Sequence, residues 1–158
     1  MTIDQHAFRA VLGRFSSGVT VVTLVDADGS DCGMTVSAFC SVSLEPPLVL
    51  VCVDHEASIH ASMSEAQSFT VNILSEGQEA LARRFADPES DRFDGIGFTR
   101  GGNGSAILGE VLGYLQCAVV TRHSSGDHDI IIGEVEEASA GEGRPLLYYR
   151  GGYAQLER

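Results

Sequence analysis

The stretch GMTVSAFCSVSLEPPLVLVCVD, residues 33–54, decides how this chain reads. It sets a small, hydroxyl-rich segment between two strand-like pieces and punctuates them with Pro46-Pro47. Thr35, Ser37, Ser41 and Ser43 occupy odd positions, so on an extended chain they are expected to share one face. A row of hydroxyls and free backbone amides suits a large, polar, planar ligand with a phosphate tail better than a second packed sheet. Gly33 permits close backbone approach to such a ligand, and the proline pair ends the segment sharply. Residues 49–53 read as a buried strand that gives the polar face a rigid support.

Working outward, Thr2 and Gln5 suggest a capping box for a first helix. Its apolar stripe is Ala7, Phe8, Val11, Leu12 and Phe15. Residues 19–25 (VTVVTLV) are rich in β-branched side chains and predict a strand, and the turn residues 26–29 (DADG) predict a hairpin from it to the segment at Gly33. Ser58 is the expected cap of a second helix over residues 59–66. A strand follows at 69–74, then a second capping box, Ser75 with Gln78, and a helix that Asp87-Pro88 terminates. Residues 91–109 show many glycines and little periodicity and predict loop. Residues 114–121, 129–138 and 146–149 predict strands, with a turn at 123–128 (HSSGDH). Six or more strands with two or three helices, and no strand–helix alternation, argue against a parallel doubly wound sheet. They predict a mainly β fold: an antiparallel barrel with peripheral helices.

Composition narrows the function classes. A length of 158 residues fits one domain, residues 1–158, with a real core. The formal net charge of −12 argues against nucleic acid and anionic membrane as partners, because phosphates would be repelled. No apolar run approaches spanning length, and the first fifteen residues, MTIDQHAFRAVLGRF, contain no apolar signal-peptide core. A cytoplasmic location is therefore expected. Cys32, Cys40, Cys52 and Cys117 have no C-x-x-C spacing. The last three lie in apolar runs and are expected to be buried thiols, not disulfides or metal ligands.

The motifs give few catalysts. Gly101-Gly102-Asn103-Gly104 lacks the Lys-Ser/Thr of a phosphate loop and reads as flexible loop. No G-x-G-x-x-G, H-E-x-x-H or Ser-His-Asp arrangement stands out. Arg83 and Arg84 near a helix C-terminus complement the helix dipole; alternatively, one of them reaches a phosphate. His128, between two carboxylates in GDHD, reads on its own as a solvated turn residue.

Taken in order, six segments carry a resemblance. They are FRAVLGRFSSGVTVVT from Phe8, the stretch from Gly33 quoted above, FTVNIL from Phe69, QEALARRFA from Gln78, GDH from Gly126, and PLLYYRGGY from Pro145. Together they resemble the flavin reductase-like family with the FMN-binding split barrel, specifically the short-chain NAD(P)H:flavin reductases that serve two-component monooxygenases. The resemblance implies an antiparallel Greek-key split β-barrel and reduction of FMN or FAD by NADH or NADPH. It also implies a homodimer and a flavin-dependent monooxygenase as partner.

Mapped onto this chain, the resemblance implies a flavin site at Asp31, Cys32, Gly33, Met34, Thr35, Ser37 and Ala38. The site would continue at Cys52, Val53 and Asp54, at Ser58 and Ile59, and at Arg84 and Phe85, with Arg84 as phosphate partner. The nicotinamide nucleotide is expected near His128 and Tyr148, Tyr149, Arg150 and Gly151, with His128 orienting it. The absence of an acid–base pair agrees, since a flavin supplies its own redox chemistry. Asp54 brings a negative charge near an anionic cofactor, which leaves FMN against FAD open. Two other classes stay in view: a non-catalytic or electron-carrying flavin protein, and an oxidase of the pyridoxamine-phosphate type. The shortage of further basic residues for a substrate phosphate argues against the latter.

Overall fold

The computed structural model describes residues 2–157. Helix α1 (Gln5–Leu12) leads to β1 (Ser17–Gly18), β2 (Thr20–Val25), β3 (Asp31–Val36), β4 (Phe39–Ser43) and β5 (Leu48–Asp54). Next come α2 (His60–Glu65), β6 (Ser68–Ile73), a 3-10 turn (Glu76–Gln78) and α3 (Glu79–Ala86). A short pair, β7 (Phe98–Arg100) and β8 (Ala106–Leu108), precedes the long hairpin β9 (Gly113–Ser125) and β10 (His128–Ala140). The chain closes with β11 (Leu146–Tyr149) and β12 (Gly152–Gln155).

The main sheet runs β3-β2-β6-β9-β10-β5-β4, antiparallel at every pairing. Its two outermost strands, β3 and β4, are consecutive in sequence and joined by Ser37 and Ala38 alone. A flat sheet of seven strands would set those edges about 29 Å apart at about 4.8 Å per strand. Two linking residues reach only about 10 Å. The sheet must therefore curl until its ends meet, which makes a split barrel. The Cys52 N–H donates to the Ala38 carbonyl at 3.0 Å and fastens the crossing point. From β5 the chain passes through α2 to β6, which lies beside β2, giving a Greek-key path.

The alternation of each strand explains the core. Val22 and Leu24 of β2 point inward with Val49, Val51 and Val53 of β5, Phe69 and Val71 of β6, Cys117 and Ile131. The opposite face of β2 is also covered: Val19 and Val21 pack with Leu74, Ala82, Phe85, Leu108 and Leu146. A strand buried on both faces can be apolar throughout, which accounts for TVVTLV. β5 is covered on one face only, so Leu50 and Cys52 are left half-buried. Polar groups on the covered outer face are paired. Asn72 Nδ2 donates to the Val21 carbonyl at 3.0 Å, and its Oδ1 accepts from the Leu108 N–H at 2.9 Å.

Several sequence expectations need correction. Asp4, not Thr2, caps α1 by accepting from the His6 N–H. Ser58 does not cap the second helix, which starts at His60 after Ile59. Residues 91–109 contain the β7–β8 ribbon, which covers the outer face of β2 and β6. The turn between β9 and β10 shrinks to Gly126 and Asp127, because pairing continues to Ser125 and His128. Cys40 is exposed and Cys52 half-buried; only Cys117 is a buried thiol. The Ser75–Gln78 capping box forms as expected.

Two tests follow from this packing. A Cβ at Gly133 would lie 2.7 Å from Phe69 Cζ and 2.9 Å from Cys117 Cβ, whereas one at Gly77 meets nothing within 4 Å. Gly133→Ala is expected to lose about 1–3 kcal/mol in urea unfolding, and Gly77→Ala to stay within about 0.5 kcal/mol or gain slightly. Burial also pushes the Cys117 thiol up to about 12. Iodoacetamide at mildly alkaline pH should leave Cys117 unmodified in the folded protein and alkylate it after denaturation, as read by peptide mass spectrometry.

Candidate functional site

Barrel closure brings α1, the Ser37-Ala38 link, the start of β4, the outward face of β5 and the β11–β12 turn to one place. They form a groove of about 670 Å³ lined by Ser37, Ala38, Cys52, Tyr148, Arg150 and Gly151, with apolar walls from Phe8, Phe39 and Leu50. That size and mixture of apolar walls with a few polar points suits a heteroaromatic ligand. The β11–β12 turn is built for position. Arg150 and Gly151 both have positive φ, 51° and 79°, as a two-residue hairpin requires. The Arg150 N–H donates to the Gly13 carbonyl at 2.9 Å and ties the turn to the end of α1.

The odd-numbered hydroxyls do not form one row. β3 stops at Val36, and the β4–β5 ladder slips between Ser41 and Ser43, so the alternation is broken twice. Thr35 turns its hydroxyl onto the Ala82 carbonyl of α3 at 2.6 Å. Ser37 remains on the groove. Gly33 serves close approach of another kind: an added Cβ would sit 2.8 Å from Phe85 Cε1 and 3.2 Å from Phe93 Cζ. The glycine makes room for the fully buried Phe85, whose ring meets Phe93 edge-on at 5.1 Å. Val53 and Ile59 are likewise core residues. At these positions a ligand could meet backbone but not the buried side chain.

The arginines are arranged differently from the sequence expectation. Arg84 Nε donates to the Arg92 carbonyl at 3.1 Å, and its Nη2 donates to the carbonyls of Asp91 (2.7 Å) and Asp94. It therefore anchors the 91–94 loop. It lines a separate depression of about 590 Å³ between α3 and the segments at Gly97 and Gly109. Arg92, which nothing in its local sequence singles out, reaches into the expected flavin segments. Its Nη1 donates to the Gly33 carbonyl at 2.7 Å and to Ser58 Oγ at 2.9 Å. Burial pushes its pKa down from the usual arginine range. Asp31 is held by a bidentate pair with Arg100, both contacts at 2.8 Å. Half-buried Cys32 has its thiol pushed up by burial.

The second lip belongs to β5 and β10. His128 pairs with Asp54 across the ladder, so the expected nicotinamide-orienting residue lies beside the expected flavin strand. His128 Nδ1 is 2.6 Å from Asp127 Oδ1, and that contact holds the Asp127 carboxyl below the usual carboxylate range. Asp54 spends its carboxylate locally, accepting from the Glu56 N–H at 2.8 Å. Tyr148 faces the groove and packs edge-on against Tyr153 at 5.5 Å, whereas Tyr149 is exposed. Among the described residues no helix is long and apolar enough to cross a membrane.

Relatives place this arrangement. The chain is 44% identical over 154 residues to the reductase component of a 4-nitrophenol 4-monooxygenase/4-nitrocatechol 2-monooxygenase from Rhodococcus opacus, covering 98% of this chain and 82% of that one. Nitrilotriacetate monooxygenase component B from Mycobacterium thermoresistibile superposes with a TM-score of 0.92 at 38% identity, covering 98% of this chain and 87% of that one. An NADH:FAD oxidoreductase from Streptomyces globisporus, solved with NAD and FAD fragments, gives 0.92 at 36% identity, covering 98% and 93%. The model of the flavin reductase like domain matches residues 12–157, and with these relatives it establishes that the chain belongs to the flavin reductase-like family.

Proposed function

We propose that this chain is an NAD(P)H:flavin oxidoreductase that reduces FMN or FAD by hydride transfer and supplies reduced flavin to a separate monooxygenase. The observation that carries this reading is the juxtaposition at the barrel seam. A groove of about 670 Å³ runs along Ser37, Ala38 and Cys52, and its neighbouring strand pair sets His128 beside Asp54. A flavin bound there would supply the redox chemistry, accepting a hydride from the reduced nicotinamide. The protein needs only to bind, orient and exclude water.

Each of these tasks has residues. The apolar walls Phe39, Leu50 and Tyr148 offer packing for a tricyclic ring. Ser37 and the backbone beside it offer hydrogen bonds to the polar edge of such a ring. We assign the flavin phosphate to Arg92, whose guanidinium already bridges the Gly33 carbonyl and Ser58 Oγ. Arg84 acts on that site through its bond to the Arg92 carbonyl. With His128 Nδ1 donating to Asp127, Nε2 is left as an acceptor for an amide N–H of the nicotinamide carboxamide. An open groove with one bridging arginine suits reversible binding, which a diffusible reduced flavin requires.

The assembly reading rests on α1. This helix buries none of its residues, and Phe8, Val11, Leu12 and the neighbouring Phe15 are all exposed. Leu44, in the β4–β5 connection, is 92% exposed. Phe8, Leu12 and Phe15 also line the groove, so a second copy docked on this face would complete its wall. We therefore propose a homodimer, and, as part of the flavin reductase reading, a single-domain protein of the cytoplasm.

The deciding experiment is steady-state oxidation of NADH and NADPH with FMN, FAD and riboflavin each added in turn; absence of turnover with every pair would reject the reading. Arg92→Ala should raise the flavin Kd about tenfold by fluorescence titration, with Arg92→Lys intermediate. His128→Ala should cut kcat/KM for the nicotinamide at least about tenfold while leaving the flavin Kd within about twofold. Sedimentation equilibrium should return twice the chain mass, and Phe15→Glu should lower it.

A further inference from the structure

The geometry points to a binding site for one divalent transition-metal ion of the zinc type, held by His55, His60 and Asp129. These residues come from three elements that the ladder brings together. His55 follows β5 directly, His60 opens α2, and Asp129 lies on β10 opposite Val53. His55 Nε2 lies 2.8 Å from Asp129 Oδ1, and His60 Nε2 lies 2.8 Å from Asp129 Oδ2. The ligand atoms all fall within 4.8 Å of one another.

The donor set and its surroundings favour a metal. Two imidazole nitrogens and one carboxylate are the ligands a borderline cation prefers, and one water or a chelating carboxylate would complete a four-coordinate shell. In a tetrahedral site with bonds of about 2.0–2.1 Å, neighbouring ligand atoms stand about 3.3 Å apart. The present 2.8 Å contacts need to open only by about half an ångström. The site is prearranged: the Asp129 side chain is 15% exposed, and the two rings meet edge-on with centroids 5.1 Å apart. The His55 backbone N–H is fixed to the Asp127 carbonyl at 2.9 Å. Ser124 Oγ stands 3.4 Å from His55 Nε2 and supplies a neighbouring hydroxyl. Asp54 and Asp127 flank the ligands in sequence, and the whole chain carries −12, so a cation is drawn to the site.

The site does not depend on the flavin reading. An ion here pins the end of β5, the start of α2 and the start of β10; Asp54 and His128 lie on the two strands, and Ser58 lies two residues before the helix. Its role is to brace that lip.

The test uses the full chain, stripped with EDTA, without flavin or nicotinamide. Calorimetric titration with Zn²⁺ should show one equivalent per chain. Co²⁺ should give the intense visible absorption of a low-coordinate nitrogen/oxygen site, and Zn²⁺ should abolish it. Zinc at ~100 times Kd should raise Tm by about 5–10 °C, reversibly on adding chelator. His60→Gln and Asp129→Asn should each weaken binding at least about tenfold. The more exposed His55→Gln gives the same readout with less risk to folding. Absence of stoichiometric binding in the wild type, or wild-type affinity in all three variants, would overturn the assignment.

Discussion

The constraint on which the rest depends is the two-residue bridge at Ser37-Ala38. It joins the opposite edges of a seven-stranded sheet, so the sheet has no freedom to stay open. Closure brings the two end strands together without a ladder between them and encloses an apolar interior built from every second residue of β2, β5 and β6. It also leaves a seam. At that seam the backbone leaves one strand before it enters the next, and Ser37 and Ala38 line a groove. The groove is therefore a by-product of how the barrel shuts.

The seam makes sense of the molecule's shortage of catalytic side chains. A protein that lends surface to a redox-active ring needs a shaped wall, a few hydrogen bonds and one cation, and very little titratable machinery. The guanidinium beside Gly33 is positioned by an indirect route. Arg84 sits on a regular helix, where its position is secure, and holds the carbonyls of the 91–94 loop. Arg92, carried by that loop, makes the contact with the Gly33 segment. Rigidity in α3 is thus passed to a segment that has no regular structure. The same economy appears at Gly33, where absence of a side chain serves the packing of Phe85 beneath the strand.

How far the residues could be read in advance follows from the range of the interactions. Strand and helix positions were legible because local periodicity and caps report them: TVVTLV for β2, and Ser75 with Gln78 before α3. The β7–β8 ribbon was not, because its order comes from hydrogen bonds to β2 and β6, such as Thr23 Oγ1 to the Ala106 carbonyl across 83 positions. The odd-numbered hydroxyl row failed for a related reason. Alternation holds only while a strand continues, and here a two-residue corner and a bulge intervene.

By itself the sequence determined the class of fold, the family and the type of chemistry. The fold class follows from apolar alternation and turn residues; the family and its chemistry follow from the resemblance that six ordered segments carry. Only the tertiary structure decided which arginine reaches the Gly33 carbonyl, that His128 stands opposite Asp54, and that His55, His60 and Asp129 converge. Each of these is a meeting of residues far apart along the chain. Its geometry is set by barrel closure and strand register, quantities that no local pattern encodes.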